Sequence, residues 1–340
     1  MVTLANTKLD TLIVTVNYKT SRLVIDLILS LTTEVTNLGH THMVIVDNAS
    51  GDDSVDYIQK FIDTNSLDWV TVMSSSDNVG FAAGNNLAIN SMFSKGVTAK
   101  RIWFLNPDTK VRPQAGSELI KAINEKKLHI VGSRLEDEDG TFQCSYFNFP
   151  GIISELSEGL GLGIFDRLVR KYLVRKPPSN SVMQADWLSG ASFMVSNEYI
   201  ERVGLIDDDY FLYFEELDFC LQGKRNNMHC WYIPSSKVYH AVGAATGISD
   251  YRKKAPRRPQ YWFDSRRHYF LKNYGPLKLL CCDLAFLAGY TVRLLRSKLT
   301  NNAELIKGPP DFFKDFIKNS FLFRGFALRT NNATNSTTQK

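Results

Sequence analysis

The sequence predicts an α/β protein built on a mostly parallel sheet with helices on both faces. Two observations carry this. Through the first 135 residues, short apolar runs rich in β-branched residues alternate with helix-period segments. The runs are near-continuous rather than alternating, as strands buried on both faces must be.

In order, residues 11–18 (TLIVTVNY) make the first strand, and Thr20 or Ser21 can cap the helix of LVIDLILSL. HMVIVD at 42–47 makes the second, after which Ser50 is expected to cap a helix through VDYIQKFI. WVTVMSSS at 69–76 is the third, followed by GFAAGNNLAINSMF, a helix with small residues on one face. RIWFLNPD at 101–108 is the fourth and ends in a polar turn; the helix SELIKAINEKK and the strand LHIVGSRL follow. In open parallel sheets the ligand crevice lies beyond the C-terminal ends of the strands. Asn17, Asp47-Asn48, Asn78 with Gly80, and Asn106-Pro107-Asp108 fall there. One such residue is an ordinary turn former. Four strand ends on one rim predict a ligand site.

With 340 residues, 44% hydrophobic and 22% charged, the chain is globular and long enough for one large α/β domain or two. A net charge of +5 does not argue for nucleic acid. Five cysteines (Cys144, Cys220, Cys230, Cys281, Cys282) show no metal-ligand spacing and make a poor disulfide framework, which suggests a reducing compartment. The N-terminus lacks the pattern of a signal peptide, so a cytoplasmic location is expected. Sequons at Asn332 and Asn335 mean little without a secretory signal. No G-x-G-x-x-G follows the first strand and no G-x-x-x-x-G-K-[ST] occurs, which argues against dinucleotide-binding Rossmann proteins and P-loop NTPases. A nucleotide would be held by other means. An Asp ending strand two can accept hydrogen bonds from a base or ribose, and an Asp ending strand four can hold Mg²⁺ or Mn²⁺ against a diphosphate.

One stretch stands out. FLYFEELDFC at 211–220 sets Glu215, Glu216 and Asp218 among aromatics and aliphatics. Charges in apolar surroundings need a partner, a metal or a cleft; the alternative is an amphipathic helix with a solvated acidic face.

VNY at 16–18, VDNASGDDS at 46–54, NVGFAAGNN at 78–86, FLNPD at 104–108, DWLSGASFMV at 186–195 and GLIDDDYFLYFEELDFC at 204–220 together resemble inverting family 2 glycosyltransferases, within them the rhamnosyltransferase-like branch. The resemblance runs from about residue 10 to about 275. It implies a GT-A fold, a nucleotide-diphosphate sugar donor, and transfer with inversion at the anomeric carbon. Carried over by residue, Asn17 and Asp47 would bind the nucleoside, with Asn78 and Gly80 near base and ribose. Asp108 would be the main metal ligand, Asn106 standing where the family has an Asp, and His240 falls where some relatives place a further ligand. Glu216 aligns with the catalytic base that takes the acceptor's proton, and Glu215 is the second candidate. A helix starting there would put Glu215 and Asp218 on one face and turn Glu216 elsewhere. Asp186, Trp187 and Gly190 resemble the acceptor-side strand and turn, where Trp187 either packs in the core or faces a sugar ring.

The C-terminal third changes character. From Arg252 to Lys298 there are twelve Lys or Arg against two Asp. Within this segment Arg266 and Arg267 resemble the basic pair that relatives carry near the donor diphosphate; solvated surface charge is the alternative. Residues 276–299 (PLKLLCCDLAFLAGYTVRLLRSKL) hold no charge-free span long enough to cross a membrane. They suit an interfacial amphipathic helix, or one packed on the catalytic domain. The division expected is a GT-A catalytic domain at 1–245, a basic and helical extension suited to a membrane surface at 246–330, and a disordered tail at 331–340. The catalytic domain splits near 135 into a nucleotide-sugar half and an acceptor-side half.

The function expected is an inverting, metal-assisted transferase at the cytoplasmic face of a membrane, with no nucleic-acid partner. It moves rhamnose from a dTDP-sugar, or another sugar from a UDP-, GDP- or dTDP-donor, to a glycan or lipid-linked glycan. A silent sugar-nucleotide- or glycan-binding module is the rival from another class.

Overall fold

The computed structural model describes residues 4–241 and 256–325. Strands β1 (Lys8–Asn17), β2 (Thr41–Asp47), β3 (Val70–Ser74) and β4 (Thr98–Leu105) lie parallel in the order β3-β2-β1-β4. Because side chains alternate along a strand, both faces must be covered. Leu12 and Val14 enter one core with Val44 and Val46, whereas Ile13 enters the other with Met43 and Ile45. Helices α1 (Ser21–Leu31), α2 (Ser54–Thr64) and α4 (Ala115–Lys126) cover the second face, and α3 (Gly80–Phe93) the first. Packing there is close: a Cβ on Gly84 of α3 would lie 3.0 Å from Val16 of β1.

Ser50 does not cap α2, which starts at Ser54 after Asp53. Its hydroxyl donates instead to Asp47 Oδ2 at 2.6 Å, because the buried carboxylate needs the donor more than the helix end does.

Further along come β5 (Thr109–Val111), β6 (Ile130–Glu136), the short strands β7 (Phe142–Gln143), β8 (Tyr146–Phe147), β9 (Met183–Ala185) and β10 (Trp187–Leu188), then β11 (Ser192–Ser196) and β12 (Cys230–His240). The sheet continues from β4 as β11-β6-β12-β5, with β11 antiparallel to both β4 and β6 and β5 antiparallel to β12. Phe104 of β4 and Phe193 of β11 are register partners and stack at 4.5 Å. Helices α5 (Ile152–Leu160), α6 (Gly163–Leu168), α7 (Asn197–Val203) and α8 (Glu215–Arg225) complete this half, with Tyr199 of α7 and Phe219 of α8 joining the first core.

The C-terminal region begins its described part with α9 (Gln260–Leu299), broken where Gly275 takes φ 81 before Pro276. Its first half packs Tyr269 and Phe270 against Tyr210, Leu217 and Leu221. The second half crosses α5 so closely that a Cβ on Gly159 would meet Phe286 O at 2.4 Å, and one on Gly289 would meet Leu156 O at 2.6 Å. Two more helices, α10 (Phe312–Asn319) and α11 (Phe321–Arg324), follow. Among the described residues, no helix is long and apolar enough to cross a membrane. The tail at 331–340, expected to be disordered, lies outside the described residues.

Arg266 ties this region together. Nη1 donates to Asp283 Oδ1 at 2.6 Å and Nη2 to Glu155 Oε2 at 2.7 Å, while Asp283 Oδ2 accepts from Phe321 N–H at 2.7 Å. Removing one member of such a buried group strands the others' charges. Arg266→Ala should therefore lower unfolding free energy by about 3–5 kcal/mol in a denaturant titration. A loss within the spread of ordinary surface substitutions would mean the triad adds nothing.

Candidate active site

The strand ends converge as their polar residues require. Asn17 and Asp47 are register partners. Asn17 Nδ2 donates to Asp47 Oδ2 at 2.7 Å, and Asn17 Oδ1 accepts from the Thr20 hydroxyl at 2.8 Å. Both residues are buried, so these bonds tie the ends of β1 and β2 together. Asn48 Nδ2 reaches Asn78 Oδ1 at 2.9 Å and Gly80 O at 3.0 Å, joining the end of β2 to the start of α3.

Asn106 and Asp108 follow β4. Asp108 is buried, and the β5–β12 ladder, which pairs Thr109 with His240, brings His240 Nε2 to 3.5 Å from Asp108 Oδ1. The Asn106 Oδ1 and His240 Nδ1 atoms are buried without hydrogen-bond partners among the described residues. An amide oxygen, a carboxylate and an imidazole are a donor set that fits Mg²⁺ or Mn²⁺, and an orphaned buried oxygen beside them is what such an ion would satisfy. Elsewhere, Asp207, Asp209 and His268 come within ligand distance of one another. There the Lys272 ammonium sits 2.5 Å from Asp207 Oδ2 and supplies the positive charge itself.

The three acids of residues 211–220 meet three different fates. Asp218 is buried and held by Lys272 Nζ at 2.6 Å and Asn273 Nδ2 at 2.6 Å, so it locks α8 to α9. Glu215 is buried, and burial together with the neighbouring Glu216 pushes its carboxyl well above the usual range. Glu216 is half-buried beside Gly190, on which a Cβ would lie 3.8 Å from Glu216 Oε1. Burial raises it to about 7, while the Gly190 N–H facing it favours the ionised form. Gly190 is followed by Ala191, whose carbonyl accepts from Asn106 N–H at 3.0 Å. One backbone step therefore links the Asn106–Asp108 turn to Glu216.

The backbone before the pair is strained. Tyr213 and Phe214 have φ of 70 and 69, a left-handed conformation costing on the order of 1–2 kcal/mol for each non-glycine residue. Aromatic contacts hold it: Tyr213 stacks on Tyr261 at 6.1 Å and Phe214 meets Trp262 at 6.0 Å. Upstream, Phe81 N–H donates to Phe211 O at 2.8 Å, an approach only glycine permits at position 80, where a Cβ would fall 2.1 Å from that oxygen. Asn86 Nδ2 adds a bond to Ile206 O at 2.6 Å. These contacts had no counterpart in the sequence, although Gly80 and Asn86 both stand in the quoted NVGFAAGNN.

A family model, Glycosyl transferase family 2, matches residues 12–188. The chain belongs to that family. Among curated relatives, it is 25% identical over 227 residues to a low-salt glycan biosynthesis hexosyltransferase of Haloferax volcanii, covering 66% of this chain and 64% of that protein. It is 24% identical over 197 residues to an N-acetylglucosaminyl-diphospho-decaprenol L-rhamnosyltransferase of Mycobacterium tuberculosis, covering 52% and 61%. With a dTDP-rhamnosyl transferase of Shigella flexneri the identity is 23% over 272 residues, covering 78% and 82%. The chain thus spans a little under two thirds of the first two relatives' length. Two solved structures share the fold. GalNAc-T7 with UDP, GalNAc and Mn²⁺ superposes with a TM-score of 0.59 at 11% identity, covering 94% of this chain and 58% of that one. A mannosyltransferase of Pyrobaculum calidifontis with GDP-Man and Mn²⁺ gives 0.51 at 13%, covering 91% and 85%. The GT-A fold implied by the resemblance is the fold of this family 2 member.

Other expected residues lie differently. Arg266 is not open to a diphosphate, since both terminal nitrogens bind carboxylates, and Arg267 Nη2 donates to Gly325 O. Asp186 accepts from Lys224 Nζ at 2.8 Å and from Phe149 N–H at 3.0 Å, bracing α8. Trp187 stacks on Phe147 at 4.0 Å and donates Nε1–H to Asn148 O at 3.0 Å, the packing alternative.

A carboxyl raised to about 7 is protonated below that pH and can accept a proton only above it. If Glu216 is the base, kcat/KM should climb with pH and level off above neutrality, with a value about tenfold below the plateau one pH unit under the pKa. A pH–rate profile flat through the neutral range would remove Glu216 from that step.

Proposed function

We propose that this family 2 protein is an inverting, metal-assisted hexosyltransferase that moves a sugar from a nucleotide-diphosphate donor to a glycan or lipid-linked glycan hydroxyl. The observation that carries the reading is Glu216: a carboxylate at the start of α8, raised toward neutrality and one backbone step from the Asn106–Asp108 turn. Glu216 takes the acceptor hydroxyl's proton as that oxygen bonds to the sugar C1. The C1–O bond to the diphosphate breaks on the opposite face, and the nucleoside diphosphate leaves with the electron pair. Asp108, Asn106 and His240 would hold a divalent ion, which offsets the charge gathering on the leaving group. Mn²⁺ in the two structural neighbours supports a divalent ion. Asn17, Asp47, Asn78 and Gly80 shape the nucleoside end. The rhamnosyltransferase names of two relatives favour a rhamnosyl donor, dTDP-rhamnose first.

A panel of dTDP-, UDP- and GDP-sugars, scored by nucleoside diphosphate release, tests this reading. One donor should dominate, Asp108→Ala and EDTA should abolish its turnover, and Glu216→Gln should lower it by about two to four orders of magnitude. Glu215→Gln is the control. A larger loss there, with Glu216→Gln still active, would move the base one residue upstream; no release from any donor would favour a silent binding module.

The second half of α9 supports a site of action at a membrane surface. Leu277, Leu284, Val292, Leu295 and Leu299 are exposed, the last at 86%. Their spacing puts them on one stripe, and no exposed residue from 276 to 297 is charged. Half-buried Lys278, Arg293 and Arg296 flank this stripe, with Lys298 exposed at its end. Such a face fits the headgroup boundary of an anionic bilayer. The protein should sediment with anionic liposomes at low salt and come off in part at high salt, and Leu284→Glu with Leu295→Glu should prevent binding. Equal sedimentation by the double variant would place the contact elsewhere.

A further inference from the structure

Of the arginines gathered at and near the start of α9, three are committed within the chain. Arg257 grips Asp315 through bonds of 2.7 and 2.6 Å, Arg266 holds Asp283 and Glu155, and Arg267 caps Gly325 O. Arg258 is different. Its guanidinium lies over the Trp262 ring at 5.3 Å, and its buried Nε has no hydrogen-bond partner among the described residues. Two residues on, α9 begins at Gln260 with extended Pro259 as its cap and no side chain bonded to its first N–H groups. A half-buried guanidinium with no carboxylate partner among the described residues, beside the positive end of a long helix, is a site for an anion.

Its neighbours say which anion. Arg258 lies within electrostatic reach of Tyr213 and Tyr261, drawing both phenols down against the burial that raises them. These rings stack with planes 25° apart, and Phe211 packs on Tyr261 at 5.3 Å. Tyr213 lies three residues before Glu216 and Tyr261 three after Arg258, so the stacked pair joins the loop of the acid to the segment of the arginine. In an inverting displacement the acceptor approaches C1 from the face opposite the leaving diphosphate. The diphosphate belongs at Asp108 and His240, and the group touching Glu216 is the acceptor. An aromatic pair leading from Glu216 to a cation therefore lies along the acceptor.

We propose that Arg258, the N-terminus of α9 and the stacked Tyr213–Tyr261 pair form an acceptor subsite that takes the phosphate groups of a phosphorylated sugar acceptor. The sugar lies on the rings with a hydroxyl at Glu216, and the phosphates sit at Arg258. This rests on Glu216 as the base.

Calorimetric titration with octyl diphosphate tests it by binding rather than turnover, in Mn²⁺ with dTDP or UDP present at saturation to fill the donor site. The wild type should bind the probe. Arg258→Ala should weaken it about tenfold or more, Arg258→Lys less, with nucleoside diphosphate affinity changed by less than about twofold. Matched unfolding midpoints exclude misfolding as the cause. Competition between the probe and the nucleoside diphosphate would assign Arg258 to the donor and overturn the proposal, as would unchanged binding by Arg258→Ala. Failure of Glu216 as the base would show separately, as full turnover by Glu216→Gln with the binding results unaffected.

Discussion

The placement of the acid pair depends on one contact, the Phe211 carbonyl docked on the first turn of α3. It gives Phe81 N–H its acceptor, and it requires the bare backbone of Gly80. Through it the half of the molecule that ends four strands in polar turns is joined to the loop that carries the acids. The bond itself is worth about 1 kcal/mol net. Its importance is geometric, because the strained turn at Tyr213 and Phe214 follows directly and sets the direction in which α8 starts. The aromatic contacts from Tyr261, Trp262 and Tyr269 offset that strain.

The same loop shows how low-dielectric surroundings sort like groups into different roles. Asp218 is buried with three partners, Lys272, Asn273 and Gln222, each donating to its carboxylate. Glu215 Oε2 has no such partner among the described residues, and burial beside Glu216 favours the neutral form. Glu216 is half-buried and faces the Gly190 N–H, so its carboxyl is raised to about 7, near the pH where a base works. Arg266 and Arg258 divide in the same way, one enclosed by two carboxylates and the other left with an aromatic face.

The C-terminal helices serve the site from behind. The first half of α9 supports the acid loop, and the break at Gly275 redirects its second half across α5. That second half is two-faced. Leu279, Cys282 and Phe286 are buried, while Leu277, Leu284 and Leu295 face outward. Packing on the domain and an apolar outer stripe, alternatives when only the sequence is considered, are two faces of one helix.

Local pattern alone determined β1 to β4, β6 and the helices between them, because continuous β-branched runs and helix-period segments are short-range signals. It also determined the polar strand ends and, through motif resemblance, the acid pair. Tertiary structure decided what depends on distant pairing: the antiparallel entry of β11 between β4 and β6, and the β5–β12 ladder that sets His240 against Asp108. It likewise decided which charges are available. Arg258, Arg266 and Arg267 sit in one basic stretch of sequence and look alike there. Their roles separate only when Asp283 and Glu155 arrive from other helices, since the state of a buried charge is set by the partners the fold brings to it.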